Sequence, residues 1–331
     1  MFSDPVVSAN LYAAGAIDDA FAQVAAPLAR ELSEGPLAET GGYLWCMRYA
    51  RGGAHLKLRV HGPAEIGEPV RERLESLAAS FLAGLPESEP GEARSSAAAP
   101  PLDVEDEGEA PSDRTLLWTT YRRSPVVFGG GPLADDDRYA ALFTRAAARG
   151  TERAAALFQE PEEAPSHGAR QRLLFGVVAE GLAALGLAGD ERTAYLKFHR
   201  DWLVRFPLLR QEGGEEQARR VLTVFAGRAG KMAAAVQALA RHVEATAGTA
   251  LGPWGDALTE LGAYVSPLAA DAAYDHDPFA RGPLFPAVFK VFHNLANQLG
   301  LPMPDEAFAY HLLLTAAADP DVDLLDLKLA V

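Results

Sequence analysis

The chain has 331 residues, of which 49% are apolar and 23% are charged. These proportions are typical of a globular protein and exclude a disordered chain, a collagen and a coiled coil. The formal net charge is −15, from 45 acidic and 30 basic residues. Because nonspecific nucleic-acid binding requires a basic surface, the charge argues against a nucleic-acid partner.

The chain contains one cysteine, Cys46, which excludes an intramolecular disulfide and a cysteine-rich metal site. We expect Cys46 to be a small buried hydrophobic residue, because free cysteines usually are. The first residues lack the basic segment and apolar stretch of a signal peptide. Since no apolar run approaches the ~20 residues of a membrane helix, we expect a cytoplasmic protein without a membrane partner.

The N-terminal part of the chain mixes helices and strands. Apolar residues spaced by three or four predict helices over 17–32 and 64–83. Residues 43–49 are rich in strand formers, and apolar and polar residues alternate over 55–60. We therefore predict two strands joined by a hairpin turn at 51–53.

The rest of the chain predicts a linker, a strand and a series of helices. Residues 84–113 contain few large apolar side chains and predict a mobile acidic linker. A strand follows at 116–121. Helical spacing then covers 136–158, 168–186, 191–205, 215–246, 254–265, 284–299 and 304–317. We predict one α+β unit over 1–331: antiparallel strands with flanking helices at 1–83 and 114–134, then a helical part at 135–331.

Familiar nucleotide-binding and hydrolase motifs are absent from the sequence. There is no phosphate-binding loop, no dinucleotide-binding glycine motif, no His-Glu-x-x-His and no Gly-x-Ser-x-Gly. The nearest approach to a metal cluster is Asp275-His276-Asp277. It offers too few ligands at the wrong spacing, so we predict no metal site.

Three polar segments are candidates for chemistry. His55, Lys57 and Arg59 share one face of a predicted strand. Alternation alone favours a solvent-facing side for them, while the alternative is a cationic wall that binds a carboxylate or a developing oxyanion. The second segment, Tyr121 to Ser124, lies where a strand runs into a turn, a common place for functional side chains.

The third segment is a polar stripe on the otherwise apolar helix 284–299. Lys290, His293 and Asn297 recur by three or four residues and therefore share a face. Polar groups on a buried helix need partners or a cavity. His293 is thus either a hydrogen-bonded core histidine or a site residue.

Together these segments resemble a known family. The run Met47-Arg48-Tyr49, the strand His55-Leu56-Lys57-Leu58-Arg59 and the helix His293-Asn294-Leu295-Ala296-Asn297-Gln298-Leu299 are similar, in order and spacing, to the C-terminal domain of class I lanthipeptide dehydratases, the thiopeptide-type bacteriocin biosynthesis domain. The resemblance covers nearly the whole chain and implies the fold of that elimination domain. In the family, the domain eliminates glutamate from glutamylated serine or threonine in a precursor peptide.

The chain departs from this family at the residues that handle glutamate. Ser124 stands where the family has a glutamate, and Val127, Lys57 and Gln298 each stand where the family has an arginine. This pattern resembles the branch that acts as thiopeptide pyridine synthases. The resemblance implies a formal [4+2] aza-cycloaddition of two dehydroalanines, with loss of water and of the leader peptide, and it implies no cofactor.

The resemblance also suggests roles for individual residues. The reaction needs a proton donor and acceptor beside one amide, and the catalytic candidates are Tyr121, Ser124 and His293. The candidate substrate-binding residues are Tyr49, His55, Lys57, Arg59, Arg122, Lys290 and Asn297. The implied partner is a ribosomally made precursor peptide with a leader and a dehydrated, azole-containing core; other biosynthetic enzymes of the same gene cluster are further candidates.

Two alternatives stay open at this stage. The first is a stand-alone glutamate-elimination subunit, in which Lys57, Arg59, Arg122 or Arg123 binds the glutamyl carboxylate. The second is a non-catalytic scaffold that binds the leader peptide.

Overall fold

The computed structural model describes residues 4–49, 53–86, 114–121, 133, 135–158, 165–205, 207–208, 211, 213–246, 252–270 and 283–317. The chain forms two compact units. The first unit comprises Met1–Ser166 with Asn297–Gly300, and the second comprises His167–Ala296 with Leu301–Val331.

An antiparallel sheet organises the first unit. Its strands are β1 Val7–Tyr12, β2 Tyr43–Tyr49, β3 His55–His61 and β4 Thr115–Trp118. Within the described residues the sheet has four strands in the order β2-β3-β1-β4. The predicted hairpin is present, with Tyr49 opposite His55. The turn residues 50–52 lie outside the described residues, and Gly53 has a φ of +101°, which favours glycine.

Strand β3 is buried on both faces. Leu56, Leu58 and Val60 form its apolar face, as alternation predicts. The expectation that the opposite face points to solvent is wrong, because His55, Lys57 and Arg59 are 0%, 7% and 6% exposed. Alternation separates the two faces of a strand, but it does not reveal whether another layer covers the polar one.

Helices flank this sheet. They are α1 Ile17–Ala20, a π-helical turn Phe21–Ala25, α2 Ala26–Ser33, α3 Gly67–Gly84 and α4 Asp137–Leu157. The helices predicted over 17–32 and 64–83 are thereby confirmed. The start of α4 follows a standard rule, since Asp136 Oδ1 accepts hydrogen bonds from the backbone N–H groups of Arg138 and Tyr139, both at 2.9 Å.

The second unit is helical in its described part. Its helices are α5 His167–Ala184, α6 Gly189–Arg205, α7 Gly214–Lys231, α8 Ala233–Thr246, α9 Gly252–Val265, α10 Leu284–Gln298, whose last two residues belong to the first unit, and α11 Met303–Ala317. The α+β fold class is confirmed. The predicted helix 215–246 is two helices, because the backbone leaves helical geometry at Met232. The apolar spacing continues across this break, so periodicity alone does not locate it.

Close packing joins neighbouring helices of the second unit. Gly181 of α5 lies so near to α10 that a Cβ there would lie 2.6 Å from the Phe292 ring. Trp254 of α9 donates a hydrogen bond from its indole Nε1 to the carbonyl of Val177, at 3.2 Å. Helices α6 and α11 pack extensively, and His199 stacks on Tyr310 with ring centroids 3.6 Å apart.

Several predictions fall outside the described residues. They concern residues 87–113 of the predicted linker, the side chains of Arg122, Arg123 and Ser124, and the Asp275-His276-Asp277 motif. Among the helices that the structure describes, none has both the length and the apolar composition needed to cross a membrane.

Candidate functional site

The main candidate site lies in the second unit and is centred on the carboxyl group of Glu306. This carboxylate is 1% exposed in the first turn of α11. Its Oε2 accepts a hydrogen bond from Nδ1 of His293 at 2.7 Å, and its Oε1 accepts one from Nε2 of His199 at 2.9 Å. The other ring nitrogen of His199, Nδ1, lies 3.0 Å from the Tyr195 hydroxyl. We call Tyr195, His199, Glu306 and His293 the buried polar chain.

The environment of the buried polar chain sets its protonation. Burial lowers the pKa of His199 to about 4, against the opposing hydrogen bond and charge of Glu306. Burial raises the pKa of Glu306, but the charge of His293 and the hydrogen bonds from both histidines outweigh it and leave that pKa below its ordinary value. The pKa of Tyr195 is raised well above its ordinary value by burial and by the Glu306 charge. Near neutral pH, the buried polar chain therefore contains Tyr195 as a phenol, His199 as a neutral imidazole and Glu306 as a carboxylate.

His293 is the accessible end of this chain. Its side chain is 22% exposed, whereas those of His199 and Glu306 are 0% and 1% exposed. Its ring stacks on Phe289, with centroids 5.5 Å apart. Within the described part of the chain, its Nε2 makes no hydrogen bond. A histidine held at Nδ1 with Nε2 available can accept or donate one proton, as general acid–base catalysis requires.

Lys290 lies one helical turn before His293 on α10. Its Nζ is 5.5 Å from the ring centroid of Trp202 and 5.7 Å from that of Phe289. Such cation–π contacts hold an ammonium group in place without neutralising it. The second unit thus places a positive charge and a proton-transfer group on neighbouring turns of one helix.

A second polar cluster lies on the sheet of the first unit. The Nζ of Lys57 is 3.8 Å from the ring centroid of Tyr49. The His55 ring contacts Tyr12 and Tyr49, with centroid separations of 4.5 and 5.3 Å. Arg59 is engaged with the sheet itself, since its Nη1 donates to the Ala9 carbonyl at 2.7 Å. Tyr49, His55 and Lys57 therefore form one cluster, while the Arg59 guanidinium stabilises the neighbouring strand β1.

Asn297 and Gln298, at the end of α10, bind the backbone of the edge strand β2. Asn297 accepts a hydrogen bond from the backbone N–H of Arg48 at 2.7 Å and donates one to its carbonyl at 2.9 Å. The fully buried Gln298 donates from Nε2 to the Cys46 carbonyl at 2.8 Å and to the Thr151 hydroxyl at 2.9 Å. Both amides thus have a structural role in the first unit. Gln298 carries no positive charge that could bind a carboxylate.

The remaining predicted residues divide into described and undescribed ones. Tyr121 lies three residues after β4 and is half-buried, with its hydroxyl shielded from solvent. Ser124 and Arg122 lie outside the described residues. Cys46 is buried as expected, and burial raises the pKa of its thiol to about 12, which disfavours the nucleophilic thiolate form. Within the described residues, no group of three or more His, Cys, Asp or Glu side chains is arranged so that it could hold a metal ion.

Sequence reasoning missed Glu306, His199 and Tyr195. Glu306 directly follows Asp305 at a predicted helix start, where acidic residues are ordinary N-terminal signals. The Tyr195–His199 spacing of four residues places both on one helix face, but many exposed pairs share this spacing. The one signal that indicates a buried charge is that the Glu306 carboxylate is followed by the largely apolar segment 307–314, which only His311 interrupts.

Three solved structures show the same fold. The pyridine synthase TbtD from thiomuracin biosynthesis aligns with a TM-score of 0.63 and 17% identity, over 95% of this chain and 98% of that one. TsrL aligns with a TM-score of 0.56 and 16% identity, over 93% of each chain. The tRNA-dependent lantibiotic dehydratase MibB from Microbispora sp. 107891 aligns with a TM-score of 0.52 and 16% identity, over 94% of this chain but 28% of MibB.

Sequence comparison identifies the family. No curated protein sequence matches the chain significantly. The family model described as "Lantibiotic biosynthesis dehydratase C-term" matches residues 7–317, which is nearly the whole chain. This match agrees with the resemblance carried by the motifs around Tyr49, Lys57 and His293, and with the shared fold. The chain therefore belongs to the lantibiotic dehydratase C-terminal family.

Proposed function

We propose that the protein is a pyridine synthase of thiopeptide biosynthesis that needs no cofactor. It joins two dehydroalanines of a precursor peptide by a formal [4+2] aza-cycloaddition and then removes water and the leader peptide. Family membership and the fold shared with TbtD support this proposal. The observation that carries it is Gln298, which by the resemblance stands where the family has an arginine, and whose buried amide binds Cys46 and Thr151.

This observation favours ring formation over glutamate elimination. A leaving glutamate needs cations for its carboxylates, and arginine is the residue best suited to bind them. At this position the side chain is an uncharged amide with 0% exposure. Ring formation releases water and an amide, neither of which needs a guanidinium partner.

The proposed reaction assigns proton transfer to His293. The cycloaddition requires one backbone amide in its imidic-acid form, and each later elimination removes a proton from the ring and returns one to the leaving group. No electron is gained or lost overall. The Nε2 of His293 can accept and return these protons, an effect of typically ~10²–10⁴-fold in rate.

Holding the two alkenes together supplies the other part of the acceleration. Fixing reacting groups in the right geometry contributes up to ~7–11 kcal/mol. Among the described groups, those proposed to bind the peptide are the ring of Tyr49 and the ammonium groups of Lys57 and Lys290. The reaction is proposed to take place in the cytoplasm, where the precursor peptide is made. The hydroxyl groups of Tyr121 and Ser124 are the other proposed catalytic groups, beside His293.

Mass spectrometry of the reaction products tests the proposal. The purified protein is incubated, without cofactor, with an azole-containing precursor that carries two dehydroalanines. Loss of water together with release of an intact leader carboxamide is expected. If the protein instead removes glutamate from a glutamylated precursor, it is an elimination subunit. If neither reaction occurs but the leader binds, it is a scaffold.

Two variants test the proposed catalytic residues. His293→Ala and Tyr121→Phe should lower turnover by about 10²-fold while leader binding stays near wild type. His167→Ala is the matched control, because the His167 side chain is 54% exposed and lies 3.7 Å from the carboxylate of Asp305 rather than on Glu306. Full turnover in folded His293→Ala would remove His293 from the mechanism.

A further inference from the structure

We propose that Glu306 is a positioning residue that holds His293 in the tautomer with its proton on Nδ1 and its lone pair on Nε2. The effect on turnover rests on the proposed function, whereas the tautomer does not. Glu306 is assigned no contact with substrate, and it acts through the histidine ring.

The contact between Glu306 and His293 determines where the proton of the histidine ring lies. An ionised carboxylate only accepts hydrogen bonds. With His293 Nδ1 at 2.7 Å from Oε2, a proton must lie on Nδ1. The opposite tautomer would set the lone pair of Nδ1 against the buried carboxylate, which would leave Oε2 of Glu306 without its donor.

Glu306 is itself held by His199 and, through His199, by Tyr195. Its Oε1 accepts from Nε2 of His199, so the neutral His199 ring carries its proton on Nε2. Nδ1 of His199 is then an acceptor, and the Tyr195 hydroxyl at 3.0 Å donates to it. Both carboxylate oxygens are therefore engaged, and the position of each proton in the buried polar chain is determined.

The surrounding helices fix the residues of the buried polar chain in place. Glu306 lies in the first turn of α11, where the helix dipole stabilises a negative charge. His199 is fixed between the rings of Tyr310 and Phe289, at centroid distances of 3.6 and 4.4 Å. Because His199 is fixed, its hydrogen bond restrains the Glu306 carboxylate, and Glu306 in turn holds the His293 ring in one orientation. The buried polar chain ends at the phenol of Tyr195, which has no access to solvent. The buried polar chain therefore orients His293 and does not conduct protons away from it.

Nitrogen-15 NMR of histidine-labelled protein measures the tautomer directly. The eight histidines are distinguished by loss of the His293 signals in His293→Gln. We expect neutral His293 of the wild type to carry its proton on Nδ1. In Glu306→Gln, we expect the Nε2-protonated form to become populated and kcat to fall by about 10²-fold, with KM changed less than about threefold.

Asp305→Asn is the matched control. It removes a carboxylate from the same helical turn, but one that faces His167 at 3.7 Å. We expect neither the tautomer nor kcat to change in this variant. A similar loss of activity in both variants would show a general effect of charge at the start of α11 and would overturn the proposal.

The wild-type spectrum tests the proposal even if Glu306→Gln does not fold. Neutral wild-type His293 protonated on Nε2 would overturn it at once, as would an unchanged tautomer in folded Glu306→Gln. The spectrum is recorded without substrate. The expected tautomer combined with no pyridine product would therefore refute the proposed function and leave the positioning role standing.

Discussion

Acidification should destabilise the second unit, because its core holds His199 as a neutral imidazole. Burial lowers the native pKa of His199 to about 4, while an ordinary histidine has a pKa of 6.5. Between these values the unfolded chain binds a proton that the native chain does not. Stability is therefore full above pH 6.5 and falls as the pH drops towards 4.

The size of the effect follows from the gap between the two pKa values. At about 1.4 kcal/mol for each pH unit, the range from 6.5 to about 4 corresponds to about 3 kcal/mol. The lowered pKa of Glu306 acts in the same direction at lower pH, because below 4.5 the unfolded chain binds a proton that the native carboxylate does not yet bind. So does the pKa of His311, which burial and the Arg200 charge lower to about 4.

Urea denaturation at several pH values measures the loss. Two of the four tryptophans, Trp202 and Trp254, lie in the second unit, so replacing Trp45 and Trp118 by phenylalanine makes fluorescence specific for it. In this background His199→Gln keeps a donor for Glu306 but cannot titrate. Its stability should fall less steeply below pH 6.5, by up to about 1.4 kcal/mol per pH unit. Parallel curves for the two proteins would refute the reasoning.

Three further predictions concern packing and hydrogen bonds. Gly181→Ala should cost about 1–3 kcal/mol in unfolding free energy by forcing a methyl group against the Phe292 ring; in denaturation, the exposed helical control Gly227→Ala, with open space around it, should instead gain about 0.5–1 kcal/mol. Asn297→Ala should cost about 1–3 kcal/mol by removing both hydrogen bonds that the Asn297 amide makes to the backbone of Arg48, and unchanged thermal stability would contradict this contact. Gln298→Arg should lower the melting temperature and not restore glutamate elimination, since the side chain is fully buried; a stable, eliminating variant would contradict the structural role of Gln298.

Much of the fold is predictable because it depends on local periodicity. The helices at 17–32 and 64–83 and the hairpin of β2 and β3 follow from apolar spacing that the sequence displays directly. The break at Met232 does not, because the same spacing continues through it. The burial of Lys57 also escapes prediction, since covering a polar face requires residues distant in sequence.

The candidate site was predictable in part. His293 and Lys290 stand out because polar residues on an apolar helix need a reason. The partner of His293 is 13 residues away on another helix, and its place in the chain imitates a helix start signal. Asn297 shares the stripe of His293, yet its amide binds the backbone of Arg48. Spacing gives the face of a helix, but only the packed structure gives what each side chain on it contacts.

The two amides at the end of α10 also bear on how the first unit avoids association. Strand β2 ends the sheet within the described residues, and such a strand offers unpaired backbone groups to other chains. Asn297 and Gln298 take the outward carbonyls of Cys46 and Arg48 and the outward N–H of Arg48, much as a neighbouring strand would. These two side chains thus occupy the backbone groups of β2 that a further strand would otherwise bind. A peptide substrate or a second copy of the protein cannot extend the sheet here without first displacing them.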